Sequence, residues 1–120
     1  MQNRLKRIEA VGYRIDSDTL IVYYEMQVLT ENRELCTIWK RFSQIINLHC
    51  QLQRHRPLFI LPVIPPKRSL ELQSSAMLLE RINDINSYFK QLLALNDFIH
   101  SNDKINQFIN DPNNKDFNIK

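Results

Sequence analysis

Apolar and polar positions along this chain change period once, near residue 43, and that change divides the fold. Before it the pattern alternates. In residues 19–29, Leu20, Val22, Tyr24, Met26 and Val28 fall on one face, and Ile21, Tyr23, Glu25, Gln27 and Leu29 on the other, which turns polar midway. A period of two is the mark of a strand. Residues 5–15 read as an earlier strand, with Gly12 marking a bulge or a close approach. Asp16-Ser17-Asp18 supplies the turn between the two. Thr30-Glu31-Asn32-Arg33 reads as a hairpin connection to a third strand, residues 34–41, which carries β-favouring Thr37, Ile38 and Trp39. Three successive strands with tight turns predict an antiparallel meander.

After residue 43 the period becomes helical. Ile45, Leu48, His49 and Leu52 recur at steps of three and four, which predicts an amphipathic helix over residues 44–54 with Ser43 as its N-cap and Pro57 as its stop. Residues 57–66 hold four of the five prolines together with Leu58, Phe59, Ile60, Leu61, Val63 and Ile64. A solvated linker would not carry that apolar load, so an extended, polyproline-like arm packed on the domain is expected. Ser74 or Ser75 caps a long helix whose stripe is Leu78, Ile82, Ile85, Phe89 and Leu92, ending near Leu95. A turn over residues 97–100 leads to a last helix, capped by Ser101, carrying Ile105, Phe108 and Ile109, and stopped at Asp111-Pro112. The expectation is one α+β domain: a three-stranded antiparallel β-meander packed against a helical subdomain of three to four helices with a proline-rich loop. Residues 1–4 read as an N-terminal extension, 5–110 as the domain, and 111–120 as a polar tail, frayed over residues 113–120.

Composition narrows the function. With one glycine in 120 residues there is no Gly-rich phosphate loop, which removes most nucleotide-binding enzymes. No run of 18 apolar residues spans a bilayer, and the N-terminus lacks the apolar core of a signal peptide, so any membrane role is expected to be peripheral. Cys36 falls in a strand-like run and Cys50 in a helix-like one. They read as reduced, buried thiols of a cytoplasmic protein rather than a disulfide. His49, His55 and His100 lack metal-ligand spacing, so no metal or cofactor is expected. His49 and Cys50 are helix neighbours whose side chains point apart, and no carboxylate pair stands out for acid–base work. The chain does not read as an enzyme.

Charge is the informative departure. Residues 37–70 contain Lys40, Arg41, Arg54, Arg56, Lys67 and Arg68 and no Asp or Glu, while the chain as a whole carries a net charge of +3. Like charges repel, so six cations without a carboxylate point to an anionic partner. Taken singly, each residue has a plainer reading: Arg41 as a side chain lying over Trp39, Phe42 as core, Lys67 and Arg68 as a solvated loop pair, and Arg81 as an exposed partner of Asp84. Pro62-Val63-Ile64-Pro65 has the form read by SH3 domains, but its apolar interior favours packing on the domain. The cations are split between a strand end, a helix end and a loop, which disfavours nucleic acid.

Three motifs in order resemble a known family. Lys40-Arg41-Phe42-Ser43-Gln44-Ile45 is similar to the Arg-Arg-Tyr-Ser-Asp-Phe signature of phox-homology (PX) domains. Pro65-Pro66-Lys67 is similar to the end of their proline-rich loop, and Arg81 ahead of Tyr88-Phe89 to their helical arginine. The resemblance covers residues 5–109. It implies binding of phosphoinositides, most often phosphatidylinositol 3-phosphate, on cytosolic faces of endosomal or vacuolar membranes. By that resemblance Arg41 grips the 3-phosphate in a bidentate fork, Phe42 packs on the inositol ring, Lys67 pairs with the 1-phosphate, and Arg81 bonds the ring hydroxyls at positions 4 and 5. Leu70 and Leu72 lie in the loop that enters the bilayer in such domains, with Glu71 opposing deep insertion. Lys40, Arg54, Arg56 and Arg68 are candidates for secondary anionic-lipid contacts. Four positions depart from the signature: Phe42 for Tyr, Lys40 for Arg, Gln44 for Asp and Ile45 for Phe. None removes an inferred ligand contact in type. The runner-up reading is a PX-fold module that binds proteins instead. Such domains sit within larger multidomain proteins, and a parent with protein partners is expected.

Overall fold

Alternation in the first forty residues builds the sheet. In the computed structural model, which describes residues 5–55, 61–65, 74–95, 103–112, 114–115 and 117, strands β1 (Leu5–Ile15), β2 (Val22–Thr30) and β3 (Leu35–Lys40) form an antiparallel sheet in the order β1-β2-β3. The register sets Tyr24 opposite Lys40, Met26 opposite Ile38 and Val28 opposite Cys36. Tyr24, Met26, Val28 and Ile38 are buried, so the β2 face read from the pattern is the core face from Tyr24 onward. Leu20 is the exception. It is 73% exposed and sits at φ 61°, in the left-handed region disfavoured for a side chain with a Cβ. Its N–H bonds the Asp16 carbonyl at 2.8 Å. The turn therefore runs through Leu20, and β2 begins later than residue 19. At the other hairpin, Arg33 takes φ 63° and donates to the Thr30 carbonyl at 3.0 Å, a three-residue connection.

The register of β1 on β2 slips between Ala10 and Gly12, placing a bulge beside Gly12. A Cβ on Gly12 would come no nearer than 3.9 Å to Glu25 Oε1, so the bulge and not a close approach is its context. Asn86, from the long helix, clips the strand next to the bulge. Its Oδ1 accepts from the Ala10 N–H at 2.6 Å and its Nδ2 donates to the Ala10 carbonyl at 3.0 Å, supplying what a neighbouring strand would supply.

Helix α1 spans Phe42–His55, α2 Ser75–Leu93 and α3 Asp103–Ile109. Ser74 caps α2 by accepting from the Met77 N–H at 3.2 Å. The five expected stripe residues of α2 are buried, and so are Arg81 and Tyr88. One core joins Ile8 and Ala10 of β1, the buried face of β2, Ile45, Leu48 and Leu52 of α1, the α2 stripe, and Ile105, Phe108 and Ile109 of α3. Within it, His49 Nδ1 and the Tyr88 hydroxyl are hydrogen-bonded at 2.8 Å. The arm is described over Leu61–Pro65. Leu61 and Ile64 pack on the core while Val63 is 88% exposed. The turn at 97–100 and Ser101 lie outside the described residues.

Two expectations need correction. Cys36 and Cys50 are free, but Cys36 is exposed and Cys50 half-buried, so neither is a core thiol. Cys36 lies one residue into β3, near the hairpin tip, where the core does not reach it. The segment after α3 is also not a frayed tail where it is described. Lys115 Nζ reaches Asp16 Oδ2 at 3.0 Å, and Phe117 meets Trp39 at 4.8 Å between ring centroids. The Lys115 hydrogen bond, then those from the Asp18 and Thr19 N–H groups, pull the Asp16 carboxyl down to about 2.

Two outcomes follow from these contacts. Asn86→Ala leaves both polar backbone groups of Ala10 without their partner and should lower stability by about 1–3 kcal/mol in urea unfolding. An unchanged midpoint would show that the clip is dispensable. Burial lowers the His49 pKa below its ordinary 6.5. Between 6.5 and that lower value the unfolded chain takes up a proton that the folded chain does not. The thermal midpoint should therefore decline as pH falls below 6.5 and level off below the folded pKa, and His49→Gln should remove that part of the decline.

Candidate functional site

The site begins where β3 ends. Lys40 points into the core, as the alternation of β3 requires, and Arg41 follows as the residue before α1. Arg41 is held at the backbone from both directions. Its carbonyl accepts from the Gln44 N–H at 3.0 Å, and its own N–H donates to Gln44 Oε1 at 2.8 Å. This is the reciprocal half of a capping box, in which the third helical residue reaches back to the cap. Gln44, which stands where the family signature has Asp, makes this bond without a charge. The cap is thus Arg41, not Ser43. With its backbone fixed, Arg41 leaves its side chain exposed.

Phe42, the first residue of α1, is half-buried and packs on the core. The Arg81 guanidinium carbon stands 4.0 Å from the centre of its ring. Arg81 is only 6% exposed, which excludes the plain reading of a solvent-exposed helix residue. It lies three residues after Leu78 and four before Ile85, on the core stripe of α2. A guanidinium is weakly hydrated and planar, so an aromatic face is among the few surroundings that can accept it when buried. Tyr24 of β2 is the third member. Burial raises its hydroxyl above the ordinary tyrosine range, and the Arg81 charge opposes that rise. The first turn of α1, the second turn of α2 and the middle of the sheet thus converge on one buried cation, and Arg41 immediately precedes Phe42 in the chain.

Of the expected site residues, the structure brings Phe42 and Arg81 into contact and sets Arg41 next in chain to Phe42. Lys67, Arg68, Leu70, Leu72 and Arg56 lie outside the described residues. Arg54 is exposed near the end of α1. Lys40 must be corrected. It is 1% exposed, with its ammonium 4.3 Å from the centre of the Phe108 ring, so it is no surface contact for an anionic lipid. Desolvation lowers its pKa, opposed by the charge of Asp111. Tyr24 and Gln44 were not among the expected site residues. The signal for Gln44 was its place three residues after Arg41. That for Tyr24 was a hydroxyl on a face otherwise apolar.

A cavity of about 410 Å³ opens between α1 and α3, lined by Lys40, Gln44, Leu48, Phe108 and Asp111, among others. It does not include Phe42 or Arg81. Among the described residues no cluster of three or more His, Cys, Asp or Glu side chains could hold a metal ion, and no helix is long and apolar enough to cross a membrane.

The PX domain family model matches residues 28–112, and the chain belongs to that family. PX domains are generally non-catalytic modules that bind phosphoinositides. The fold is shared with an X-ray structure of a designed CISK-PX domain, at 22% identity and a TM-score of 0.66, covering 90% of this chain and 97% of that one. It is also shared with the mouse SNX19 PX domain crystallised with a bound sulphate ion, at 23% identity and a TM-score of 0.65, covering 89% and 97%. No curated protein matches.

Lys40→Met tests the separation of the two adjacent cations. Removing one member of a buried charge pair destabilises because the other is left buried and uncompensated. Asp111, however, is half-exposed and keeps contact with water, so what the substitution chiefly removes is the desolvation cost of Lys40. The urea midpoint should be at or above that of the wild type. A lower midpoint would show that the Lys40 charge is needed in the fold.

Proposed function

We propose that this domain targets its parent protein to membranes by binding phosphatidylinositol 3-phosphate, on cytosolic faces of endosomal or vacuolar membranes. The observation that carries this reading is the buried Arg81 guanidinium against the ring of Phe42, the residue that follows the exposed Arg41 in the chain. A cation fixed in a nearly closed setting has already lost most of its water. It can then donate to neutral hydroxyls with geometric precision, which a solvated side chain cannot do.

In this reading each group has one task. Arg41, with its backbone locked by Gln44, gives a bidentate fork to the 3-phosphate. The Phe42 face not occupied by Arg81 supports the inositol ring. Arg81 donates to the 4- and 5-hydroxyls and thereby excludes lipids phosphorylated there. Lys67 meets the 1-phosphate, and Leu70 and Leu72 enter the bilayer, each contributing about 1.5–3 kcal/mol if fully buried. Arg54, Arg56 and Arg68 supply weaker attraction, about 1 kcal/mol each near an anionic surface. Attachment is peripheral, through headgroup and loop.

Vesicle co-sedimentation tests the reading. Phosphatidylcholine vesicles doped with phosphatidylinositol 3-phosphate should retain the domain, and undoped vesicles should not. Arg41→Ala should weaken retention at least tenfold, about 1.4 kcal/mol, with the circular dichroism spectrum preserved. Arg81→Met, which keeps length but not charge, should narrow the gap between the 3-phosphate and the 3,5-bisphosphate lipids. Equal retention by doped and undoped vesicles would end the lipid reading and leave a PX fold used for protein contacts.

A further inference from the structure

The outer face of the sheet carries a second feature. Residues on that face alternate with the core: Arg14 on β1, Tyr23 on β2 and Trp39 on β3, with Arg14 opposite Tyr23 and Glu25 opposite Trp39 in the register. Phe117 rests among them. Its ring meets Trp39 at 4.8 Å and Tyr23 at 5.5 Å, both edge to face, and the Arg14 guanidinium stands 5.0 Å from its centre and 5.5 Å from that of Trp39. Two residues earlier, Lys115 pairs with Asp16 in the β1–β2 turn. A turn steers the segment there: the Asn114 N–H donates to the Asp111 carbonyl at 3.1 Å and Asn114 Nδ2 to the Ile109 carbonyl at 3.0 Å. Aromatic slot and acidic anchor thus read a Lys-x-Phe pattern.

The seating is imperfect in two respects. The ion pair is half in water, with the Lys115 side chain 39% and the Asp16 side chain 11% exposed, so solvent screens part of its attraction. The Trp39 indole N–H is enclosed without an acceptor among the described residues. A buried donor left unpaired favours any arrangement that supplies one. Among the described residues, the chain's own segment fills the slot without supplying that acceptor.

We infer that the Arg14–Tyr23–Trp39 slot, with Asp16 beside it, is an exchangeable docking site for a Lys-x-Phe peptide, occupied in this chain by Lys115 and Phe117. A partner segment that also offers a backbone carbonyl to the Trp39 N–H displaces the intramolecular occupant. The slot is separate from the Phe42–Arg81 site, and the inference does not depend on lipid binding.

Trp39 is the only tryptophan of the 120 residues, so its emission reports the slot directly. In the full chain, Phe117→Ala should shift that emission to longer wavelength and raise its quenching by iodide, with unchanged circular dichroism. A synthetic peptide of residues 111–120 should reverse both changes saturably, and the same peptide carrying F117A should not. Lys115→Ala removes one ion pair at the sheet edge and should give a smaller shift in the same direction, again with unchanged circular dichroism. Emission and quenching unaltered by both variants would overturn the inference. So would a peptide that restores neither, or a wild-type chain that is dimeric by light scattering and turns monomeric on Phe117→Ala, since the segment would then belong to a second copy.

Discussion

Burying an arginine removes water that only nearby groups can replace, and the site is arranged around that requirement. The Phe42 ring meets the Arg81 guanidinium at 4.0 Å, and Tyr24 comes within its electrostatic reach. A desolvated cation–π contact is worth about 2 kcal/mol, less than the desolvation of an isolated ion, so the contact must be shared among several groups to persist. This ties three elements to one point: α1 through Phe42, α2 through Arg81, and the sheet through Tyr24. The Gln44 bond to the Arg41 N–H sets the start of α1 at Phe42, the residue whose ring meets Arg81.

The positive stretch thereby splits into unlike parts. Lys40 and Arg41 are adjacent, yet one is 1% exposed over Phe108 and the other faces solvent. Strand alternation causes the split, because β3 ends with Ile38 and Lys40 on the core face. A lysine tolerates such a place when its charge has both an aromatic surface and a carboxylate near it, here Phe108 and Asp111. Net charge therefore overstates the anion-binding surface. What the β3 exit presents to solvent is the Arg41 side chain, on a backbone held by the helix cap.

Much of the fold was legible because its elements obey one period each. The β2 face from Tyr24 to Val28 and the α2 stripe from Leu78 to Leu92 were readable from spacing alone, and Ser74 capped where its position implied. The misreadings have local causes. Leu20 fits the strand pattern but is taken by a turn at positive φ, which periodicity cannot register. Arg81 sits on the α2 stripe, but a charge in a hydrophobic pattern looks like an interruption, and only the ring of a distant residue makes it a core position. Phe117 lies in a polar stretch too short to show any period, so its contact with Trp39 was invisible beforehand. Arg41, Phe42 and Arg81 are candidates through the resemblance of motifs, not through charge, which gives Lys40 the same weight as Arg41.

The central claim is that the headgroup is met by Arg41, Phe42 and Arg81 acting together. Nuclear magnetic resonance of the ¹⁵N-labelled chain, titrated with a water-soluble short-chain phosphatidylinositol 3-phosphate, examines that claim residue by residue. The largest shifts should fall on the Arg41 and Phe42 amides and the Arg81 side-chain N–H, and they should saturate together. Saturable shifts elsewhere with these three unmoved, or no shifts at all, would contradict it.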